Sequence, residues 1–364
     1  MGNRNIYIKY NRDLKRMAWA IGLIGLHIAI SFICSRINTI SESFFVPLAG
    51  IVTYPFKLFF GLFPFSVFEL LIILLIPIAV IITVIIFKRN KSLTTKEFII
   101  RITSLFLLMC GIILIIYGIM FGYSAYRVPM AKSIYGETPA PDINKLYEVS
   151  VLFANMSNET REEAEGEEFD FNKTAKELRE NFKIASKKYS FLSLSPAVPK
   201  KIHFSKVMSY TNITGIYFPL TAEANINMDN KDFNLPFTMA HEMAHSVMAV
   251  KEYEANFSAF LVCIESESAF IRYSAYVNAL KYCVNALYDA DKSLYREVLS
   301  MLSDKVLKDL KEESAHWSKY EGAVAEVSQK INDMHIKISG QPEGVQSYGK
   351  VTDLLILWNQ KRIA

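Results

Sequence analysis

The stretch FTMAHEMAHSVMAVKEYEANF, residues 237–257, decides how the second part of the chain is interpreted. His241 and His245 are four residues apart, so on a helix both imidazoles lie on one face and can bind one metal ion. Glu242 follows the first histidine, where its carboxylate can accept a proton from a bound water. The spacing therefore predicts a metal-binding helix. The alternative is a buried helix that carries two histidines for packing.

A catalytic zinc site needs three protein ligands and one open position, and H-E-x-x-H is the metalloprotease signature that supplies two of them. Glu252 and Asn256 are again four residues apart, so they share a face of a second helix. The six residues 246–251 allow a tight turn that packs this helix back on the first. Glu252 is the expected third ligand. Glu254 is the alternative, and otherwise a surface or ion-paired carboxylate.

This combination resembles the gluzincin superfamily of zinc peptidases, and KEYEAN is similar to the EYEAD pattern of the CAAX-prenyl-protease class. The resemblance implies a zincin-like domain, mainly helical (α+β) with a small edge sheet, and Glu252 as the third Zn²⁺ ligand. Asn256 stands where those enzymes have an Asp that hydrogen-bonds the first histidine ligand. An amide carbonyl can accept the same bond without supplying a charge. The linker before Glu252 is also shorter than in most of those enzymes.

Three blocks of the chain are similar to recurring blocks of a bacterial family, domain of unknown function 3810 (DUF3810): GIYFPLTAEAN, HEMAHSVMAVKEYEANF and QSYGKVTDLLI. Members have three N-terminal membrane spans followed by a zincin-like tail, and the family brings no established activity. The resemblance therefore supports the fold and leaves the substrate open.

The strand GIYFPLTAEANIN, residues 215–227, precedes the metal helix. In zincins an edge strand above the site pairs with an extended substrate through main-chain hydrogen bonds, so the resemblance implies Gly215, Tyr217 and Glu223 as substrate-strand residues. Glu223 is otherwise an exposed strand carboxylate. Tyr348 is the candidate second donor to an oxyanion, and its alternative is a packed ring.

Apolar residues make up 51% of the 364-residue chain and charged residues 21%, with the apolar excess in the first third. Three apolar runs are about 20 residues long, the length of a membrane-spanning helix, at about 17–35, 67–87 and 102–123. The net charge is +4, and the basic residues flank these runs. We interpret them as topology signals, which excludes a nucleic-acid partner.

The basic residues also predict the orientation. Residues 1–16 and 88–101 carry five Lys and Arg each, whereas the aromatic loop 36–66 carries two. The positive-inside rule therefore places the N-terminus in the cytoplasm and the loop outside, at the membrane interface. We expect a multi-pass membrane domain over residues 1–125 and an extracytoplasmic zincin-like domain over residues 126–364.

Together these features predict a membrane-anchored zinc metallopeptidase that cleaves peptide or protein substrates near the bilayer. Zinc lowers the pKa of its bound water to about 7, and Glu242 takes the proton as the water attacks a carbonyl. One alternative is a catalytically inactive zincin-fold receptor or binding module with a structural zinc. A transporter is disfavoured, because the spans carry no charged residue near their centres. The sequence leaves open the oligomeric state and whether Cys263 and Cys283 pair.

Overall fold

The computed structural model describes residues 2–89, 93–136, 142–338 and 349–363. The chain divides into two compact units. The first comprises Met1–Val52 and Val67–Arg127, and the second comprises Thr53–Ser66 and Val128–Ala364. Residues 53–66, called the inserted segment below, therefore belong to the second unit although they lie within the predicted membrane domain.

The first unit is helical, and helices contain all three apolar runs that the sequence predicts. Thr94 caps the last long helix with a capping box, because its side chain accepts from the backbone of Glu97 and the Glu97 carboxylate accepts from the backbone of Thr94. His27 makes a 3.0 Å hydrogen bond with the hydroxyl of Tyr123, consistent with the packing expected of a histidine within an apolar helix. The helices are α1 (Gly2–Arg36), short turns at Asn38–Ile40 and Ser41–Phe45, α2 (Val46–Gly61, continuing into the inserted segment), α3 (Val67–Arg89), α4 (Thr95–Met120) and a 3₁₀ turn at Gly122–Tyr126.

Four helical stretches among the described residues are long and apolar enough to cross a membrane, by length and composition, and they indicate a membrane protein. Three correspond to the predicted runs. The sequence did not predict the fourth, which occupies the aromatic loop. The stretches are Asn11–Arg36, Asn38–Gly61, Val67–Lys88 and Thr95–Met120.

The second unit is mainly helical with one small sheet, as the sequence predicts. Its elements are α5 (Met130–Tyr135), α6 (Ile143–Glu163), α7 (Phe171–Lys188), β1 (Pro199–Ile202), α8 (Ser205–Ser209), β2 (Gly215–Phe218), β3 (Glu223–Asn227), α9 (Leu235–Ser246), α10 (Glu252–Cys263), α11 (Ala269–Ala290), α12 (Lys292–Ser300), α13 (Asp304–Trp317), α14 (Ala323–Ile338) and α15 (Gly349–Ile363), with 3₁₀ turns at Ser190–Leu192, Asp232–Asn234 and Ser318–Tyr320.

The sheet has the strand order β1-β3-β2, with β1 parallel and β2 antiparallel to β3. β2 is therefore an edge strand. Side chains alternate between the two faces of a strand. Ala224 and Ile226 join the buried core that contains α9, so Glu223 and Asn225 point to the opposite face.

Helices α9, α10 and α11 form the centre of the core. In α10 every residue after Glu252 is buried, which is the pattern of a helix surrounded by other elements. Cys263 and Cys283 both lie in this core as free, buried thiols. The two cysteines are therefore not joined by a disulfide.

The inserted segment is held by polar contacts within the second unit. The ammonium of Lys57 donates to the carbonyls of Ser195 (2.8 Å) and Ser246 (2.7 Å), the second of which is the last residue of α9. The Ser66 hydroxyl donates to the side-chain oxygen of Asn225 at 2.6 Å. The segment was predicted to be an interfacial loop. Its polar contacts instead hold it to the end of α9 and to one face of the sheet.

Candidate metal centre

Helix α9 holds the two histidines and the glutamate of the motif. Pro236 lies in its first turn, where a missing N–H and a fixed φ suit a helix start. The Nε2 atoms of His241 and His245 are 3.1 Å apart, so both imidazoles converge on one point. The i, i+4 spacing thus places both rings on one face, as the helix period requires.

A tight turn after α9 fixes the orientation of His245. The amide of Ala249 donates back to the Ala244 carbonyl at 3.1 Å, and Met248 adopts a left-handed backbone conformation with φ of 69°. A non-glycine residue in this region is strained by about 1 kcal/mol or more. The turn directs the Ala249 carbonyl to Nδ1 of His245 at 2.7 Å. Nδ1 must donate to a carbonyl, which leaves the Nε2 lone pair available to a metal.

Glu252 completes a three-ligand cluster at the start of α10. Its carboxylate oxygens lie 3.3 Å from Nε2 of His241 and 3.6 Å from Nε2 of His245. Tetrahedral zinc at about 2.0–2.1 Å from nitrogen and oxygen ligands places neighbouring ligand atoms roughly 3.3 Å apart. One ligand atom from each of the three residues lies within 4.8 Å of the other two, so the three side chains could hold one metal ion.

Glu254 lies on a different side of α10 from the cluster. It is 1% exposed, and its Oε1 accepts from the backbone amide of Met130 at 3.0 Å and from the hydroxyl of Tyr253 at 3.3 Å. Through these contacts Glu254 anchors the start of α5. The geometry favours Glu252 as the ligand.

Asn256 lies one turn beyond Glu252 and hydrogen-bonds the ring of His241. Burial lowers the pKa of His241, but Glu252 raises it through a hydrogen bond and its charge. Glu242 and Asn256 add to the rise, so the net pKa lies above its ordinary value. The amide thus stands where the gluzincin pattern has its bracing carboxylate.

Glu242 is buried against the edge strand, with 4% of its surface exposed. It forms a hydrogen bond with the backbone of Tyr217 on β2, and a Cβ atom on Gly215 would lie 2.6 Å from its Oε1. Gly215 is therefore the residue that lets the strand approach the carboxylate. Burial raises the pKa of Glu242 to about 8, with the charge of Glu252 adding to the rise and His241 opposing it. A carboxyl group tuned in this way suits proton transfer near neutral pH.

The predicted site residue Glu223 lies away from this cluster. Glu223 is neither at the site nor exposed: it is 2% exposed on the central strand β3, faces away from α9, and accepts from the Thr221 hydroxyl at 2.9 Å. One continuous strand over residues 215–227 would put Gly215, Tyr217 and Glu223 on one face. The chain instead turns after Phe218 and returns as β3, where Glu223 lies opposite Phe218 and so on the other face from Gly215 and Tyr217. Tyr348 lies outside the described residues.

A cavity of about 220 Å³ opens beside the cluster, with His241 and Glu252 in its wall. Its polar lining includes Asn234, Asn278 and Lys281. The sequence analysis did not identify these residues. Asn278 and Lys281 share a helix face by their spacing, but no local pattern relates them to the motif some 40 residues earlier. Only the tertiary packing of α11 on α9 brings them together.

A family model described as "Protein of unknown function (DUF3810)" matches residues 44–356 of the chain. The matched region contains the edge strand, the metal cluster and the cavity beside it. No curated protein and no solved structure matches the chain.

Proposed function

The chain belongs to the DUF3810 family, and we propose that it is a membrane-anchored zinc metallopeptidase that hydrolyses peptide bonds of protein substrates held near the membrane. One observation carries the proposal. His241, His245 and Glu252 converge in an arrangement that could hold a metal ion, while a buried Glu242 lies beside them against an edge strand. A purely structural metal site has no use for that second carboxylate.

The residues present fit zinc, because two neutral imidazoles and one carboxylate are a common catalytic ligand set. A zinc ion held there would supply Lewis-acid activation of a water molecule and of the scissile carbonyl. Glu242 accepts a proton as the water oxygen bonds to the carbonyl carbon. It then delivers a proton to the leaving nitrogen as the C–N bond breaks. The atoms of one water are thereby added across the peptide bond.

The edge strand provides the means to hold an extended peptide. β2 is an edge strand of the sheet, the position from which a strand can pair with an extended peptide in the manner of β-augmentation. The close approach of Gly215 to Glu242 places this strand next to the group that transfers protons. A peptide paired there would lie along the catalytic carboxylate.

We further propose that three helices cross the membrane, with the N-terminus cytoplasmic and the second unit extracytoplasmic. The contacts of Lys57 support this count. Lys57, in the C-terminal half of α2, is 8% exposed and donates to two carbonyls of the second unit. This half of the helix is therefore part of the second unit. The tether then restricts the enzyme to cell-envelope or membrane-proximal substrates.

The test is hydrolysis of a mixed peptide library by the purified full-length protein loaded with zinc. Glu242→Gln should lower turnover by roughly 10²–10⁴-fold while zinc content stays unchanged, because the amide cannot accept the proton. Glu223→Gln is a matched control, since it removes an equally buried carboxylate from the other face of the sheet.

Turnover that survives Glu242→Gln would contradict the proposal. Peptide binding without hydrolysis by the native protein would instead indicate the zincin-fold binding module.

A further inference from the structure

The inserted segment arranges its side chains in the reverse of the order expected on a water-exposed surface. In this stretch, all of which the structure describes, Thr53, Lys57 and Ser66 are buried. A helix on a soluble domain instead turns its apolar stripe to the core and its polar side chains to water. The exposed large side chains form what we call the aromatic face: Tyr54, Phe56, Leu58, Phe59, Leu62 and Phe65.

Lys57 shows what surrounds this part of α2. It is the one charged residue of the segment, and its ammonium donates to the carbonyls of Ser195 and Ser246 inside the second unit. A lysine on a helix in water extends its ammonium into the solvent. Ionisable side chains of membrane-embedded helices turn inward instead and pair with backbone carbonyls. The contacts of Lys57 therefore indicate an apolar medium on the other sides of the helix.

The backbone at the end of α2 is also supplied with partners from the second unit. Lys200 of β1 donates to the carbonyl of Gly61 at 3.3 Å and to that of Phe63. The last carbonyls of a helix have no partner within the helix, and hydrocarbon offers none. Donors from the protein are what a helix end in a bilayer requires.

The course of the chain favours lipid over a protein partner as the cover of the aromatic face. Residues 53–66 join or overlap two stretches that are long and apolar enough to cross a membrane, Asn38–Gly61 and Val67–Lys88. The segment therefore cannot lie far from the bilayer. We propose that the aromatic face lies in the bilayer, so that residues of the second unit itself seat this unit in the membrane.

This position sets the height of the metal cluster. Ser246, whose carbonyl accepts from Lys57, directly follows the proposed ligand His245. The diameter of one helix, about 10–12 Å with side chains, therefore separates the lipid side of α2 from the end of α9. An extended chain covers that distance in about three or four residues. If the proposed peptidase function holds, the substrates are the juxtamembrane segments of membrane-anchored proteins.

The experiment places a nitroxide spin label on the full-length protein in liposomes. It compares collisions of the label with oxygen, which concentrates in the bilayer, and with a water-soluble nickel chelate. Leu62→Cys and Phe65→Cys place the label on the aromatic face, and the control Tyr288→Cys places it on an exposed side chain of α11. Labelled wild-type protein corrects for the native cysteines. We expect the oxygen-to-nickel collision ratio to be severalfold higher at positions 62 and 65 than at position 288.

Equal ratios at the three positions would place the aromatic face in water. Exclusion of both reagents from positions 62 and 65 would mean that protein covers this face. Either result would overturn the proposal, and two labelled positions keep the test decisive if one variant does not fold.

A mixed peptide library with an N-terminal palmitoyl anchor, added to the same liposomes, tests the height of the site. Cleavage should begin at bonds about four residues from the anchor, the reach of an extended chain over one helix diameter. Cleavage only at bonds much farther from the anchor would overturn the juxtamembrane substrate. Lipid contact in a protein that cuts no peptide would uphold the aromatic face and refute the peptidase. Cleavage by a protein whose aromatic face meets water would do the reverse.

Discussion

At the scale of single residues, Asn256 shows how the centre supports its ligands. Its amide hydrogen-bonds His241 and so holds the ring toward the cluster. We expect Asn256→Ala to weaken zinc binding by about 10–100-fold, the usual cost of losing a group that orients a histidine ligand. Asn256→Asp should keep or strengthen binding, because a carboxylate accepts the same bond and adds charge. Chelator competition measures the zinc affinity of the wild type and of the two variants. Equal zinc affinities for all three proteins would refute the role of Asn256 in orienting His241.

Gly215 carries a second residue-scale prediction. A Cβ atom at this position would meet the Glu242 carboxylate at 2.6 Å, so Gly215→Ala must displace either the strand or the carboxylate. Activity should therefore fall well below wild type while zinc content is retained. Ile216→Ala, on the other face of the same strand, should change activity much less. The measurement is the kcat and the zinc content of each variant. Full activity in Gly215→Ala would contradict the close approach of the strand to Glu242.

The sequence predicted the local part of the site and missed the rest for a physical reason. A helix repeats every 3.6 residues, so the converging faces of His241 with His245 and of Glu252 with Asn256 follow from spacing alone. A strand alternates, so residues 215, 217 and 223 of one strand would share a face. The prediction missed the turn after Phe218, which divides this stretch into β2 and β3 and puts Glu223 on the opposite face. Asn234 and Asn278 meet only through packing between helices distant in sequence.

At the scale of elements, the inserted segment is held to the second unit by hydrogen bonds. The aromatic composition of this loop is compatible with a position at the membrane interface. Lys57 attaches it to the second unit through backbone carbonyls, and contacts with backbone carbonyls cannot be predicted from a sequence pattern. Lys57 donates to the carbonyl of Ser246 at the end of α9, where a cation also complements the helix dipole. The segment therefore stabilises the helix that carries His241 and His245.

This contact predicts that Lys57→Met destabilises the second unit. The carbonyls of Ser195 and Ser246 lose their donor, and the contact with Ser246 is buried. This loss should lower the free energy of unfolding by about 1–3 kcal/mol. Lys176→Met is the matched control, because Lys176 is exposed on α7 and its replacement should have little effect. Thermal unfolding of the full-length protein in detergent gives both values. Equal stability of the two variants would show that Lys57 does not brace α9.

At the scale of the whole molecule, the number of helices that cross the bilayer sets the side on which the site works. Three crossings place the second unit opposite the N-terminus, and four would place both on one side. A membrane-impermeant maleimide should label Lys187→Cys in intact cells and label Lys15→Cys only after the membrane is opened, since both positions are exposed. The reverse pattern, or labelling of both only after opening, would contradict the proposed orientation.

The measurement that tests the central claim most directly is the zinc content of the purified full-length protein, with Glu252→Ala and Glu254→Ala measured beside it. The proposed centre predicts one zinc per chain in the wild type and in Glu254→Ala. The Glu254→Ala substitution removes the carboxylate that anchors Met130 and leaves the three proposed ligands in place. Glu252→Ala should lose the metal or bind it far more weakly, because it removes one of three ligands. A folded protein that takes up no zinc when it is supplied, or a Glu252→Ala variant that binds it as tightly as wild type, would contradict the metal centre and with it the peptidase.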